Sequence, residues 1–202
     1  MKKNIIFDFG NVLVEFSPIK MTEKYVKNKQ DAKIISDVVF ARKYWDCLDD
    51  ASITDDEIIE GFSAELPKRL VDLGITVYNN WVSSLTFIDG MPKLVKRLKE
   101  SGKKLYLLSN ISVGFVECYQ YVPEINNLLS LFDGLVFSGP LKIIKPSKEI
   151  FTHLLNTYNL ETYDCIFIDD SKINIEGAKN VGIDGYLFDG DAKKLEKYLF
   201  QE

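Results

Sequence analysis

A chain of 202 residues, 46% hydrophobic and 27% charged, is long enough to bury a sizeable core and has the composition of an ordinary globular protein. Its formal charge is −5, and its Lys and Arg residues are scattered along the chain, so it lacks the basic footprint of a nucleic-acid binder. The apolar run after the two N-terminal lysines, Ile5 to Phe7, is cut by Asp8; it is too short for a signal core, and no other segment is long enough to span a bilayer.

The first element is an apolar run, Asn4 to Phe7, which reads as a buried parallel strand. From Ser17 to Ser84 the pattern is helical with almost no strand signal, over Met21 to Val26, Ala32 to Tyr44 and Asp55 to Leu73. Thr54 ahead of Asp55, Asp56 and Glu57 is a good helix start, with acids in the first turn. A simple βαβ unit carries one helix after its first strand, so this block reads as an inserted helical cap over residues 17–84. The core is then 1–16 and 85–202. Pro92 opens a helix that runs through Lys99 and stops at Gly102. Strands follow at Lys104 to Leu108, Gly134 to Phe137, Cys165 to Ile168 and Gly185 to Phe188, with helices at Ser147 to Tyr158 and Ile173 to Val181. Alternating strands and helices predict an α/β fold, a Rossmann-like open parallel sheet with helices on both faces. Cys47, Cys118 and Cys165 are odd in number, far apart and without ligand spacing, which fits a reducing cytoplasm.

The polar residues of interest fall where these strands end. Asp8 follows the first strand, Ser109 and Asn110 the second, and Asp169 and Asp170 the strand at Cys165 to Ile168; Lys145-Pro146 precedes a helix. Open parallel sheets bind ligands beyond the carboxyl ends of their strands. Each residue alone has an ordinary reading, since an Asp after a strand is often a turn former and Ser-Asn a helix cap. Together they bring three carboxylates to one edge, where a hard cation with oxygen ligands would relieve their repulsion. Magnesium is the natural candidate.

In these motifs the chain resembles the haloacid dehalogenase-like hydrolases. Asp8-Phe9-Gly10-Asn11-Val12 matches that family's first motif, Ser109 the second, Lys145-Pro146 the third, and Asp169-Asp170 with Ser171 to Asn174 the fourth. A helical insertion after the first strand is also a habit of that family, where it caps the active site. The resemblance implies that Asp8 attacks phosphorus to give an aspartyl-phosphate. It implies a magnesium ion held by Asp8, the Gly10 carbonyl and Asp170, with Asp169 in or near that shell. Ser109 and Asn110 would bind the phosphoryl oxygens. Lys145 would neutralise their charge and screen Asp8 from Asp170. The substrate would be a small phosphorylated metabolite, met in the cytoplasm.

One position departs from the family pattern. The usual second Asp of the first motif, which protonates the leaving oxygen, is Gly10 here. A branch of bacterial sugar-phosphate phosphatases has a similar Asp-x-Gly-Asn-Val motif. An anomeric phosphate has a less basic leaving oxygen, so a sugar 1-phosphate and a steep dependence on leaving-group acidity are the expectations. His153, the one histidine, falls mid-helix, away from the strand ends. Tyr44, Trp45 and Trp81 read as cap core, and Arg42 and Lys43 as a solvated helix face. Two alternatives stand beside the phosphatase: a metal-independent 2-haloacid dehalogenase, and a catalytically weak binding or regulatory protein.

Overall fold

The structure, a computed structural model, describes residues 2–201. Its strands are β1 (Asn4–Phe7), β2 (Val14–Glu15), β3 (Thr86–Phe87), β4 (Lys104–Ser109), β5 (Gly134–Phe137), β6 (Cys165–Asp169) and β7 (Asp184–Leu187). Five of them form an open sheet in the order β5-β4-β1-β6-β7, and every pairing is parallel. The order reverses at β1, the position where a doubly wound sheet opens its binding crevice.

Side chains on successive strand residues point to opposite faces, and the core divides accordingly. Ile5, Phe7, Leu105, Leu107, Ile166 and Ile168 feed one cluster, which the helices Met91–Glu100 and Pro123–Leu129 cover. Ile6, Tyr106, Leu108 and Phe167 feed the other, with Ile150, Phe151 and Leu154 from Lys148–Tyr158 and Ile175 and Ala178 from Lys172–Asn180. Helices on both faces explain why Ile5 to Phe7 of β1 and Cys165 to Ile168 of β6 are continuous apolar runs: neither surface meets water. Among the described residues, no helix is long and apolar enough to cross a membrane.

Between β2 and β3 the chain is helical, from Pro18–Glu23 to Trp81–Ser84. The two long helices anticipated here are each divided. Ala32 to Tyr44 is broken at Phe40-Ala41, giving Lys29–Val39 and Arg42–Asp49. The break carries no Gly or Pro; tertiary packing sets it, by turning Phe40 to stack on Trp45 (ring centroids 5.2 Å apart). Asp55 to Leu73 is broken at Leu66-Pro67, giving Asp55–Glu65, a short 3₁₀ turn and Val71–Asn79. Pro67 lacks an N–H and biases the residue before it toward extended backbone, and Leu66 has ψ 145°. The Thr54 start is a full capping box: Glu57 N–H donates to Thr54 Oγ1, and Glu57 Oε2 accepts from Thr54 N–H. Residues 14–15 and 86–87, at either end of the helical block, pair antiparallel with each other.

Candidate active site

β1 sets the first site residue. Its ladder runs one step past Phe7, where the Asp8 N–H donates to the Ile168 carbonyl at 2.9 Å. The chain then turns under Asp8: Phe9 N–H donates to Asp8 Oδ1 at 2.7 Å, and Asn11 takes a left-handed φ of 55°. Asn is among the few side chains that tolerate that conformation. The carboxyl of Asp8 is thereby held at the strand end, only 12% exposed.

Lys145 is the centre of the charge arrangement. Its buried ammonium lies 2.7 Å from Asp8 Oδ1 and 2.8 Å from Asp169 Oδ2. It therefore separates Asp8 from Asp169, one residue deeper than the Asp8–Asp170 screening expected from the motifs. Asp169, fully buried, also accepts from Ser171 N–H at 2.8 Å and from Asn174 Nδ2, 3.1 Å from each oxygen. Both of its oxygens are thus engaged by protein donors. Asp170 is exposed at the rim.

Asn110 has a use that its position alone did not suggest. Its side-chain oxygen accepts from Lys145 N–H at 2.8 Å and its Nδ2 donates to the Lys145 carbonyl at 3.1 Å. This two-way clamp fixes the backbone that carries the ammonium. Ser109, the last residue of β4, is buried beside it. Burial is the main influence on the Asp8 carboxyl and raises it to about 7, with the Asp169 charge adding and Lys145 opposing. The same two causes, partial desolvation and Asp169, push Asp170 upward. The favourable partners keep Lys145 charged despite the burial that opposes it.

Asp8, Asp169 and Asp170 each offer an oxygen within 4.8 Å of the others. With all three carboxylates ionised, one ammonium would leave the cluster two negative charges in excess, and this repulsion adds to burial in raising Asp8 and Asp170; all of the donors are hard oxygens. A small divalent cation such as magnesium fits that donor set. Because the oxygens of Asp169 are already occupied, Asp8 and Asp170 are the better placed pair.

These residues open into a cavity of about 390 Å³ lined by Asp8, Gly10, Ser109, Asn110, Lys145 and Asp170 from the sheet side. The helical block supplies the opposite wall, with Phe40, Arg42, Trp45, Asp46, Asp49 and Trp81, and Phe16 joins them. Trp45 packs edge-on to Phe16 and Trp81, each 5.1 Å away by ring centroid, and its Nε1 is tied to the Val39 carbonyl. Trp45 and Trp81 are therefore both packed core and cavity wall. Tyr44 is turned away and bonds Glu65, which also holds Lys43. Arg42 lies at the cavity paired to Asp46. His153 is on the helix Lys148–Tyr158 near Thr157, away from the cavity.

Asn174 closes the fourth motif, and its partner is the Asp169 carboxylate. One contributor had no motif. Ser138 follows β5 at the same carboxyl edge, so the rule that singled out Asp8 and Ser109 applies to it as well. Its hydroxyl accepts from Ile111 N–H at 2.8 Å and donates to the Asp49 carbonyl at 2.6 Å. It joins the loop after β4 to the end of the helix Arg42–Asp49. Ser138→Ala should leave these buried groups unpaired and cost about 1–3 kcal/mol, read as a lower midpoint in urea unfolding.

Comparison with known proteins places this geometry among others. A family profile described as haloacid dehalogenase-like hydrolase matches residues 2–182. The chain is 28% identical over 193 residues to a D-ribitol-5-phosphate phosphatase of Bacteroides thetaiotaomicron, covering 92% of this chain and 91% of that one. It is 25% identical over 195 residues to a sesquiterpene phosphatase of Aspergillus oryzae, covering 96% and 94%. A crystal structure described as a HAD family enzyme of Bacteroides thetaiotaomicron, a point mutant in complex with magnesium and inorganic phosphate, superposes with a TM-score of 0.69 at 20% identity, covering 96% and 99%.

Proposed function

The chain belongs to the haloacid dehalogenase-like hydrolases, and from that membership we propose that it is a magnesium-dependent phosphatase acting on a small phosphate monoester through an aspartyl-phosphate on Asp8. The observation that carries this reading is the buried Asp8–Lys145–Asp169 relay at the carboxyl edge of the sheet. Asp8 is the group positioned to attack phosphorus, its Oδ1 oriented by Phe9 N–H and Lys145. Ser109 and the backbone N–H of Asn110 are assigned to the phosphoryl oxygens, and Lys145 to their charge. Asp169 positions Lys145, and Asn110 holds its backbone. Magnesium, held by Asp8, Asp170 and the Gly10 carbonyl, would offset charge on the phosphoryl group. Residues 17–84 are read as the cap, which excludes water from the cavity during transfer.

The relatives' named substrates, a sugar-alcohol phosphate and a sesquiterpene phosphate, frame the choice for this chain. A sugar phosphate in the cytoplasm is the first reading, since aromatic rings pack against the C–H face of a sugar. A prenyl phosphate is the second, favoured by the wall of Phe16, Phe40, Trp45 and Trp81.

The test is a panel of sugar, prenyl and aryl phosphates, alongside 2-chloropropionate, with and without magnesium. Chelation should suppress phosphate release, and added magnesium should restore it. Undiminished turnover after exhaustive chelation, or release of chloride in place of phosphate, would count against the reading.

A further inference from the structure

Gly10 leaves the reaction without its usual proton donor, and the cavity contains another carboxyl that no motif marks. Asp49, the last residue of the helix Arg42–Asp49, lines the same cavity as Asp8, Gly10 and Lys145. Among the described residues no donor is bonded to its side chain. Its backbone, in contrast, is fixed. The carbonyl accepts from the buried Ser138 hydroxyl, and that hydroxyl accepts from Ile111 N–H on the loop after Ser109. An unpartnered carboxyl is thus held over the site by a bond to the sheet side of the cavity. The other acids and the histidine are committed elsewhere: Asp46 pairs with Arg42, Asp169 with Lys145, and His153 is remote from the cavity.

Resting on the phosphatase reading, we propose that Asp49 is the general acid–base of this enzyme, supplied by the helical cap in place of the carboxyl missing at Gly10. As Asp8 Oδ forms its bond to phosphorus and the ester P–O bond breaks, the Asp49 carboxyl gives its proton to the departing alcohol oxygen. Water then attacks the phosphoryl group, the P–O bond to Asp8 breaks, and the Asp49 carboxylate takes the proton of that water. Alcohol and phosphate leave, and both carboxyls return to their starting states.

The electrostatics support a proton on Asp49. Burial is the largest influence and moves its carboxyl up to about 7. Asp46 and Asp50 push the same way, while Lys145, across the cavity, and Arg42 oppose; Asp8 and Asp170 also face the cavity. A donor near the working pH is the one that serves both half-reactions best. The expectation drawn from Gly10 alone, that leaving-group acidity makes a proton donor unnecessary, is replaced: with Asp49 in place, turnover should vary little along a series of leaving groups.

Space decides the rescue design. A Cβ built on Gly10 meets nothing within 4 Å, and Gly10 is not among the glycines with positive φ, so Asp can be returned there. The experiment compares the full-length enzyme, Asp49→Asn, Asp49→Glu and the double variant Asp49→Asn/Gly10→Asp, with saturating magnesium. The probes are alkyl, anomeric, phenyl and p-nitrophenyl phosphates, and thermal melts establish folding. Asp49→Asn should lose about 10²–10⁴-fold on the alkyl ester and far less on p-nitrophenyl phosphate, whose leaving oxygen needs no proton. The fall in kcat above about pH 7 should go with it. Asp49→Glu, or Asp restored at position 10, should recover part of the alkyl-ester activity. Equal losses along the whole series, or full alkyl-ester activity in Asp49→Asn, would overturn the assignment and leave the phosphatase reading standing. A native enzyme that releases no phosphate from any probe would overturn both.

Discussion

Asp8→Asn should lower phosphate release by on the order of 10⁴–10⁶-fold, the scale of loss when a nucleophilic group is removed from an enzyme. The change is nearly isosteric. The retained side-chain oxygen can still accept from Phe9 N–H, and Lys145 keeps Asp169 as its partner. Removal of one of three crowded carboxylates relieves like-charge repulsion, so the fold should remain intact and circular dichroism should be unchanged. The covalent claim has its own readout. Acid quench of the wild type with a phosphate-labelled substrate should trap label on the protein, and Asp8→Asn should trap none. A variant that keeps turnover within about an order of magnitude of the wild type would remove Asp8 from the role.

The second large effect is on stability. Lys145→Met fills similar volume but leaves the carboxylates of Asp8 and Asp169 facing each other without the ammonium between them. Loss of one partner from a buried ionic group costs about 3–5 kcal/mol, because the surviving charge is stranded. For a chain of this size that is a fall in melting temperature of roughly 6–20 °C. Measured after chelation, the loss should be at its largest. Magnesium should recover more stability in the variant than in the wild type, since the cation then has two uncompensated carboxylates to satisfy. A melting temperature unchanged by the substitution would mean that the carboxylates are neutralised some other way, and the relay would lose its structural basis.

The sheet side of the cavity was legible because its signals are local. Each strand is a short apolar run, and Asp8, Ser109 and Asp169 each stand at the carboxyl end of one, so they could be placed at one edge before any coordinates; Lys145, in the loop ahead of a helix, was marked only by its Lys-Pro motif. The helical wall was not legible in this way. Asp49 is one acid among several in the stretch from Asp46 to Glu57, and only the bend at Phe40-Ala41 and the Ser138 bond bring it to the cavity. Periodicity reports which face of a helix is apolar but not where the helix turns, and neither Phe40 nor Ala41 carries a turn signal. The break at Pro67, in contrast, had its signal in the residue itself. Asn110 shows a third kind of miss. Its position beside Ser109 was read correctly, while its side chain's clamp on the Lys145 backbone depends on a loop thirty-five residues away.

The paired strands β2 and β3 bear on how such a protein can be altered. The chain leaves the sheet domain at Val14-Glu15 and re-enters at Thr86-Phe87, with Val14 opposite Phe87 and Glu15 opposite Thr86. The two ends of the helical block are therefore neighbours, and the opening that the sheet side presents does not depend on how much chain hangs from it. Closure entropy rises only slowly with the length of such an excursion, so the ladder rung itself sets little limit on the length of the helical block. In the limit, a two-residue Asn-Gly turn of the kind that closes β-hairpins would bridge Glu15 to Thr86. The ribbon is thus a fixed joint of two rungs, while the Ser138 bond to the Asp49 carbonyl and the packing of Trp81 on Phe115 hold the helical block against the sheet side, so an exchanged block has to reproduce those contacts to keep the cavity.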